Sequence, residues 1–300
     1  AAALAALKEE WQALFSRSAA PTPFQTWEWL STWWQHYPTG KLWILTARRD
    51  GELCAILPLF IASYYGLPLR RVRFMGAPLS DYQEMIALPE HAAECRDAFF
   101  AYIEKESRRW DLLDLADVRE ESAFSTTPAD LGLRFETVQH RLCPYIPLAP
   151  DWEQQSRTLG KNLRSNIGRR RRQLSREFAL ELDTATEETL PQAMEELFAL
   201  HNARSRRRGA SGAFSGARKQ SFHRELSRKL LSRGYLRLHR LRLNGKTHAA
   251  FYCFSAEGRV YYYLSGFDHE IGKYSPGLVL MSQVVMDAIA DQAREVDLLR

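Results

Sequence analysis

The residues best suited to chemistry in this chain lie in its second half. His201, Asp268, His269 and Tyr274 are side chains that can accept or release a proton. Lys273, Ser275, Gly277 and Leu278 stand where a strand pattern gives way to a helix pattern. Residues 259–265 are a β-branched and aromatic run that reads as a buried strand. Residues 266–276 are rich in Gly, Asp, Ser and Pro, and beyond them Leu278, Met281, Val284, Val285 and Ile289 share one broad helical face. A helix opening at that point offers unpaired N–H groups and the positive end of its dipole, which together can hold a phosphate, with Lys273 close by. The same residues also suit an ordinary crossover whose helix starts with Ser at the cap and Pro at the first turn. Neither the P-loop spacing nor the dinucleotide-binding glycine spacing is present. His201 also suits a surface or capping role, and Asp268 and His269 also suit a plain turn. Arginine runs at 169–172 and at Arg206 to Arg208 can bind anions or simply be solvated surface.

The elements that must carry these residues are those of an ordinary soluble globular chain. It has 300 residues, 45% hydrophobic and 26% charged, enough for one large or two medium domains. No apolar run reaches transmembrane length. The opening AAALAAL runs straight into Lys8, Glu9 and Glu10, which reads as a helix rather than an export signal, so a cytoplasmic location is expected. The first residue is Ala, and a strand pattern has just begun at 296–299 when the sequence stops, so more chain is expected at both ends. The four cysteines (54, 95, 143 and 253) form no CxxC pair, so neither a zinc site nor a disulfide scaffold is expected, and no metal at all. Charge is uneven: residues 1–150 hold 15 Lys and Arg against 19 Asp and Glu, whereas residues 151–300 hold 26 against 17. The second half is where an anionic ligand would be steered.

In the first half the patterns predict helices at 1–16, 24–37 and 91–108. They predict strands at 42–47, 53–61, 69–75, 84–88, 110–115 and 134–139, with Pro58 demanding an edge or a bulge. Thr26 can cap the second helix. Prolines at 144, 147 and 150 mark a boundary, giving domains of 1–148 and 149–300. The second half opens with a basic helix whose narrow stripe is Leu159, Leu163, Ile167 and Leu174. Helices at 184–204 and 218–232 flank a basic loop at 205–216. Strands at 235–243 and 247–254 follow, joined by Asn244-Gly245. The pattern strand, Asp-Gly or Asn-Gly, strand occurs at 41–60 and again at 235–254, and WDLLDL at 110–115 is echoed by VDLLR at 296–300. The shared order predicts a duplicated α+β domain, each copy a mixed, mostly antiparallel sheet covered by helices.

That order resembles the GNAT acyltransferase fold. The words SDY (80–82), WDLLDL, KNLRSNIGRRRRQL, GAF (212–214), LNG (243–245) and YYYLSGFDHEIGKYSPGLVL (261–280) resemble the CelD/BioF2-like acetyltransferase family, related to the tandem-domain FemAB-type aminoacyltransferases. The resemblance implies tandem GNAT-like domains and an N-acyltransferase that moves an acyl group, acetyl above all, from acyl-CoA to an amine on a small molecule, glycan or peptide. The setting implied is exopolysaccharide or cell-envelope synthesis. Residues 274–277 would hold the donor's pyrophosphate, with Lys273 and Leu278 beside them. His201, Asp268, His269 and Tyr274 would be the candidates for base and acid. Asp81, Tyr82 and Arg206 would shape the acceptor groove at the domain interface, the first domain binding no donor. The Gln/Arg-x-x-Gly-x-Gly/Ala loop usual in GNAT enzymes is missing, which leaves aminoacyl-tRNA open as the donor, and a non-catalytic scaffold as a further alternative.

Overall fold

The computed structural model describes residues 2–300 apart from Ala20, Tyr65, Thr127, Ala129, Asp130, Gln139 and His140. The chain forms two compact units, Ala1–Arg141 and Leu142–Arg300.

The first unit begins with helices α1 (Ala2–Ala6), α2 (Lys8–Phe15) and α3 (Trp27–His36). Thr26 caps α3 as its sequence position predicts, its hydroxyl accepting from Trp29 N at 3.1 Å. The sheet follows: β1 (Lys41–Arg49), β2 (Glu52–Tyr64), β3 (Leu67–Phe74) and the short β4 (Ile86–Ala87), then α4 (Ala92–Lys105) and β5 (Leu112–Asp114). Its order is β1-β2-β3-β5, with β4 also on β2. Asp50 and Gly51, both at positive φ, close the β1–β2 hairpin. Pro58 lies in the central strand β2, not at an edge or bulge. It is tolerated because on that side β4 pairs only with Ala55 and Ile56, while β3 begins its pairing at Leu59. Residues 134–138 form no strand, and Gln139, where the expected strand was to end, lies outside the described residues.

The second unit contains β6 (Tyr145–Pro147), α5 (Trp152–Thr158), α6 (Lys161–Glu177), β7 (Leu180–Thr184), α7 (Leu190–Arg207) and α8 (Ala217–Ser232). It continues with β8 (Leu236–Leu243), β9 (Lys246–Ala256), β10 (Arg259–Phe267), α9 (Pro276–Ala290) and β11 (Glu295–Asp297). The sheet order is β6-β11-β10-β9-β8-β7. Residues 145–147 thus pair with the last strand and belong to this unit's sheet. Asn244 and Gly245 make the predicted tight turn, again at positive φ. On α6 only Ile167 and Leu174 are buried; Leu163 is 42% exposed, so the apolar stripe is shorter than its spacing predicts. Helix α7 starts at Leu190 rather than 184, because Thr184 belongs to β7 and Thr186 N donates to Thr189 Oγ1 at 2.9 Å in the connecting turn.

Each unit is an α+β layer with a mixed, mostly antiparallel sheet. The order is the same in both: an antiparallel hairpin, a third antiparallel strand, a helix, and a strand returning parallel to the third. One detail differs. In the first unit β5 pairs with residues 71–73, the end of β3. In the second, β11 pairs only with residues 259–261, the start of β10.

Candidate active site

Residues 262–267 of β10 have no strand on the β11 side among the described residues, because β11 leaves at Asp297. The strand is also irregular there. Tyr262 pairs with Cys253 and Leu264 with Tyr252, so Tyr263 is an extra residue, a bulge that re-aims the backbone at the divergence point. An open edge of this kind offers backbone N–H and C=O groups to an extended ligand and can place an N–H opposite a developing oxyanion.

Helix α7 lies against this strand. Gly266 is the point of closest approach: a Cβ there would stand 2.5 Å from His201 N and 2.7 Å from Leu200 Cβ. His201 Nδ1 is 2.7 Å from Ser265 O, and its Nε2 is 3.1 Å from Ala213 N. The partners assign the tautomer: Nδ1–H donates to the carbonyl and Nε2 accepts from the amide. Burial, reinforced by Arg204, pulls the His201 pKa below its ordinary value. His201 is therefore a neutral clamp joining α7, the GAF loop and β10, with no lone pair left to take a proton from substrate. Phe214 of that loop is fully buried, and its carbonyl accepts from Asn202 and Gln220.

Asp268 follows β10 and faces a residue that the sequence patterns did not single out. His248 Nδ1, on β9, lies 3.0 Å from Asp268 Oδ2, while Asp268 Oδ1 accepts from Glu270 N at 2.9 Å. Burial works to raise the Asp268 pKa, but the bonds from Glu270 N–H and His248, with the charge of Lys246, bring it below the ordinary range. An ionised Asp268 fixes the proton on Nδ1 and leaves Nε2 of His248 as the acceptor, the arrangement of an oriented general base. In sequence His248 is a lone histidine inside a strand pattern. Only the β9–β10 ladder brings it to a carboxylate twenty positions away. His269 packs its ring on Phe267, centroids 5.2 Å apart, and is not part of this pair.

The strand-to-helix connection is in place but differs from expectation. Ser275 sits in the left-handed region at φ 54° and makes no side-chain cap bond. Pro276 has no N–H, and the amides of Leu278 and Val279 both return to Ser275 O, at 3.0 and 3.3 Å. Gly277 supplies the one amide of the first turn not returned to Ser275. The Val279 bond is the ordinary first bond of a helix, so what this turn withholds is the amide missing at Pro276 and that of Leu278, drawn to Ser275 O. Lys273 Nζ lies 4.8 Å above the ring of Tyr274, whose hydroxyl donates to Glu177 at the end of α6. Tyr274 thus ties α9 to the basic helix and stands apart from His201 and from the His248–Asp268 pair in the bonding network.

Arg206 is exposed near the end of α7. Asp81 and Tyr82 belong to the first unit, Asp81 buried and Tyr82 at φ 51° beneath the Arg119 guanidinium at 5.7 Å. No group of three His, Cys, Asp or Glu stands ready for a metal ion among the described residues, and no helix is long and apolar enough to cross a membrane. All four cysteines are free thiols.

Residues 161–300 match the family model described as an acetyltransferase (GNAT) domain. The match lies wholly within the second unit. Comparison with curated proteins found no match. Among solved structures, FemX aligns at 12% identity and TM-score 0.67, over 97% of this chain and 87% of its own. A conserved protein of unknown function from Bacteroides thetaiotaomicron aligns at 12% identity and TM-score 0.61, over 98% and 88%. The C-terminal (DUF2156) domain of a protein described as a lysylphosphatidylglycerol synthetase, from Agrobacterium fabrum, aligns at 14% and TM-score 0.57, over 99% and 78%. At these identities the likeness is one of fold. It spans both units, whereas the GNAT match covers the second alone.

Proposed function

We propose that this chain is an aminoacyltransferase of the FemAB kind, moving an aminoacyl group from aminoacyl-tRNA to an amine on a cell-envelope or exopolysaccharide precursor. The observation that carries this reading is the first turn of α9. With Pro276 lacking an amide and that of Leu278 drawn back to Ser275, it offers few free amides to a CoA pyrophosphate. Beside it α6 bears Lys161, Arg164, Arg169, Arg170, Arg171, Arg172 and Arg176, none in an ion pair with a carboxylate among the described residues. A row of cations on one helix suits a polyphosphate backbone better than a single cofactor. One fold relative also bears a name that joins an amino acid to a lipid.

In this reading the acceptor amine attacks the ester carbonyl and loses its proton to His248, oriented by Asp268; the C–N bond forms, the ester C–O bond breaks, and the ribose hydroxyl of the tRNA leaves with that proton. The carbonyl oxygen of the ester faces the open edge of β10 near the Tyr263 bulge, and Tyr274 holds α6 against the start of α9. Arg206 is a proposed acceptor contact. The second reading, acetyl transfer from acetyl-CoA in the CelD/BioF2-like manner, is favoured by the GNAT acetyltransferase match.

The test is a pair of titrations on the full chain: fluorescence anisotropy with labelled aminoacyl-tRNA and calorimetry with acetyl-CoA. Saturable binding of the tRNA, with a salt slope that falls by about 0.7–0.9 for each α6 arginine replaced by Gln, supports the proposal. Saturable binding of acetyl-CoA alone replaces it with the second reading, and binding of neither removes both.

A further inference from the structure

Helix α7 does more than cover β10. Arg204 lies one turn beyond His201 on the same face, and its Nη1 is 3.3 Å from Ser265 Oγ. Its guanidinium carbon stands 4.6 Å from the centre of the Phe267 ring. The Gly266 contact shows which side of the strand faces α7. By the alternation of a strand, Ser265 and Phe267 face the other side. Arg204 therefore passes around the edge of β10, a route open only because β11 has already left the strand at Tyr261. Tyr262 shares that side, its partner Cys253 lying two residues from Phe251, the partner of Ser265.

Arg204 has no carboxylate partner among the described residues. Its Nε is buried with no hydrogen-bond partner, and its charged neighbour Arg208 has the same sign. Burial and Arg208 both work against its charge. The other part-buried arginines of this sheet are paired: Arg240 with Asp183 and Glu196, Arg242 with Glu181, Arg259 with Glu295. A half-buried guanidinium keeps five N–H donors in a rigid fork and cannot shed its proton, so an unpaired one is costly unless something anionic completes it.

We propose that Arg204, with Ser265 and Tyr262, is the binding site for an anionic group of the ligand, a carboxylate or a phosphate monoester, seated at the open edge of β10. This rests on the reading that the open edge seats substrate, but not on which donor is used. The guanidinium fork takes the anion through Nε and a second nitrogen, its face stays on Phe267, and the Ser265 hydroxyl holds it in place.

The test follows the arginine Nε–Hε signals of the 15N-labelled full chain by NMR. The Arg204 signal is assigned by its loss in Arg204→Lys or, should that variant not fold, by its displacement in Ser265→Ala. The probes are inorganic phosphate and acetate, titrated separately at constant ionic strength. The expected result is a saturable shift of Arg204 with one of them, while Arg206 and Arg208 move little. Arg204→Lys, with its melting temperature unchanged, should weaken that binding roughly tenfold, because it keeps the charge but loses the fork. Saturation by phosphate assigns a phosphate monoester, and saturation by acetate a carboxylate. An Arg204 signal that stays fixed with both probes, or moves only in step with Arg206 and Arg208, overturns the proposal. Anion binding without aminoacyl transfer would sink the aminoacyltransferase reading and leave this site standing. Transfer with no response at Arg204 would do the reverse.

Discussion

At the scale of single residues, His201 has both ring nitrogens committed, and this turns a residue typical of proton transfer into a joint between three pieces of chain. Its folded pKa is held below its unfolded value near 6.5. It thus favours the folded state fully above that value, and the contribution declines as pH falls through it, since the unfolded chain then binds the proton first. Urea unfolding at about pH 7.5 and about pH 5.5 should show a larger acid-induced loss of stability in the native chain than in His201→Gln. Equal losses would mean that the ring is protonated in place. Gly266→Ala tests the same joint from the other side. Its methyl would meet the His201 backbone and Leu200, and a cost of about 1–3 kcal/mol is expected in the same measurement.

At the scale of elements, the two hairpins, the strand after each and the final short strands were legible in sequence because Asp50-Gly51 and Asn244-Gly245 announce their turns and runs rich in Leu and aromatic residues flank them. What the pattern could not carry was pairing. Residues 134–138 of the predicted strand find no partner among the described residues, and Leu163 has helical spacing but stays 42% exposed. The open edge of β10 depends on where β11 stops pairing, a three-residue register that no local signal encodes. For the same reason the pairing of His248 with Asp268 is invisible in sequence, although Asp268 by itself stands out as a residue able to move a proton. The α9 start is legible by its Ser-Pro-Gly signature, but that signature says nothing of Ser275 adopting φ 54°. Tyr274→Phe removes the bond that ties α9 to Glu177 while leaving the ring packed on Phe178. Donor binding should weaken with little change in melting temperature, and an unchanged donor affinity would show that the tie between α6 and α9 has no part in binding.

At the scale of the whole molecule, the two units share one strand order, but among the described residues only the second keeps both an open edge and a helix starting directly behind it. In the first, residues after β3 turn back as β4 to pair with β2 before α4 begins. Each unit has its own apolar core, one built around Leu57, Phe74 and Phe100, the other around Leu241, Phe251 and Val284. Leu142, at the junction, is 83% exposed. Brief digestion with chymotrypsin should therefore cut near Leu142 and leave two resistant fragments, whereas scattered early cuts within either core would show that the units do not hold separately. The open edge also has a meaning for molecules meeting one another. Unpaired strand backbone invites a strand from a second chain, and natural sheets deter this by placing charge across the edge. Arg204 does so here, and His201 occupies the Ser265 carbonyl. Ligand and intruding strand would thus contend for the same stretch of β10, so a chain holding its ligand should also be the one that best resists self-association.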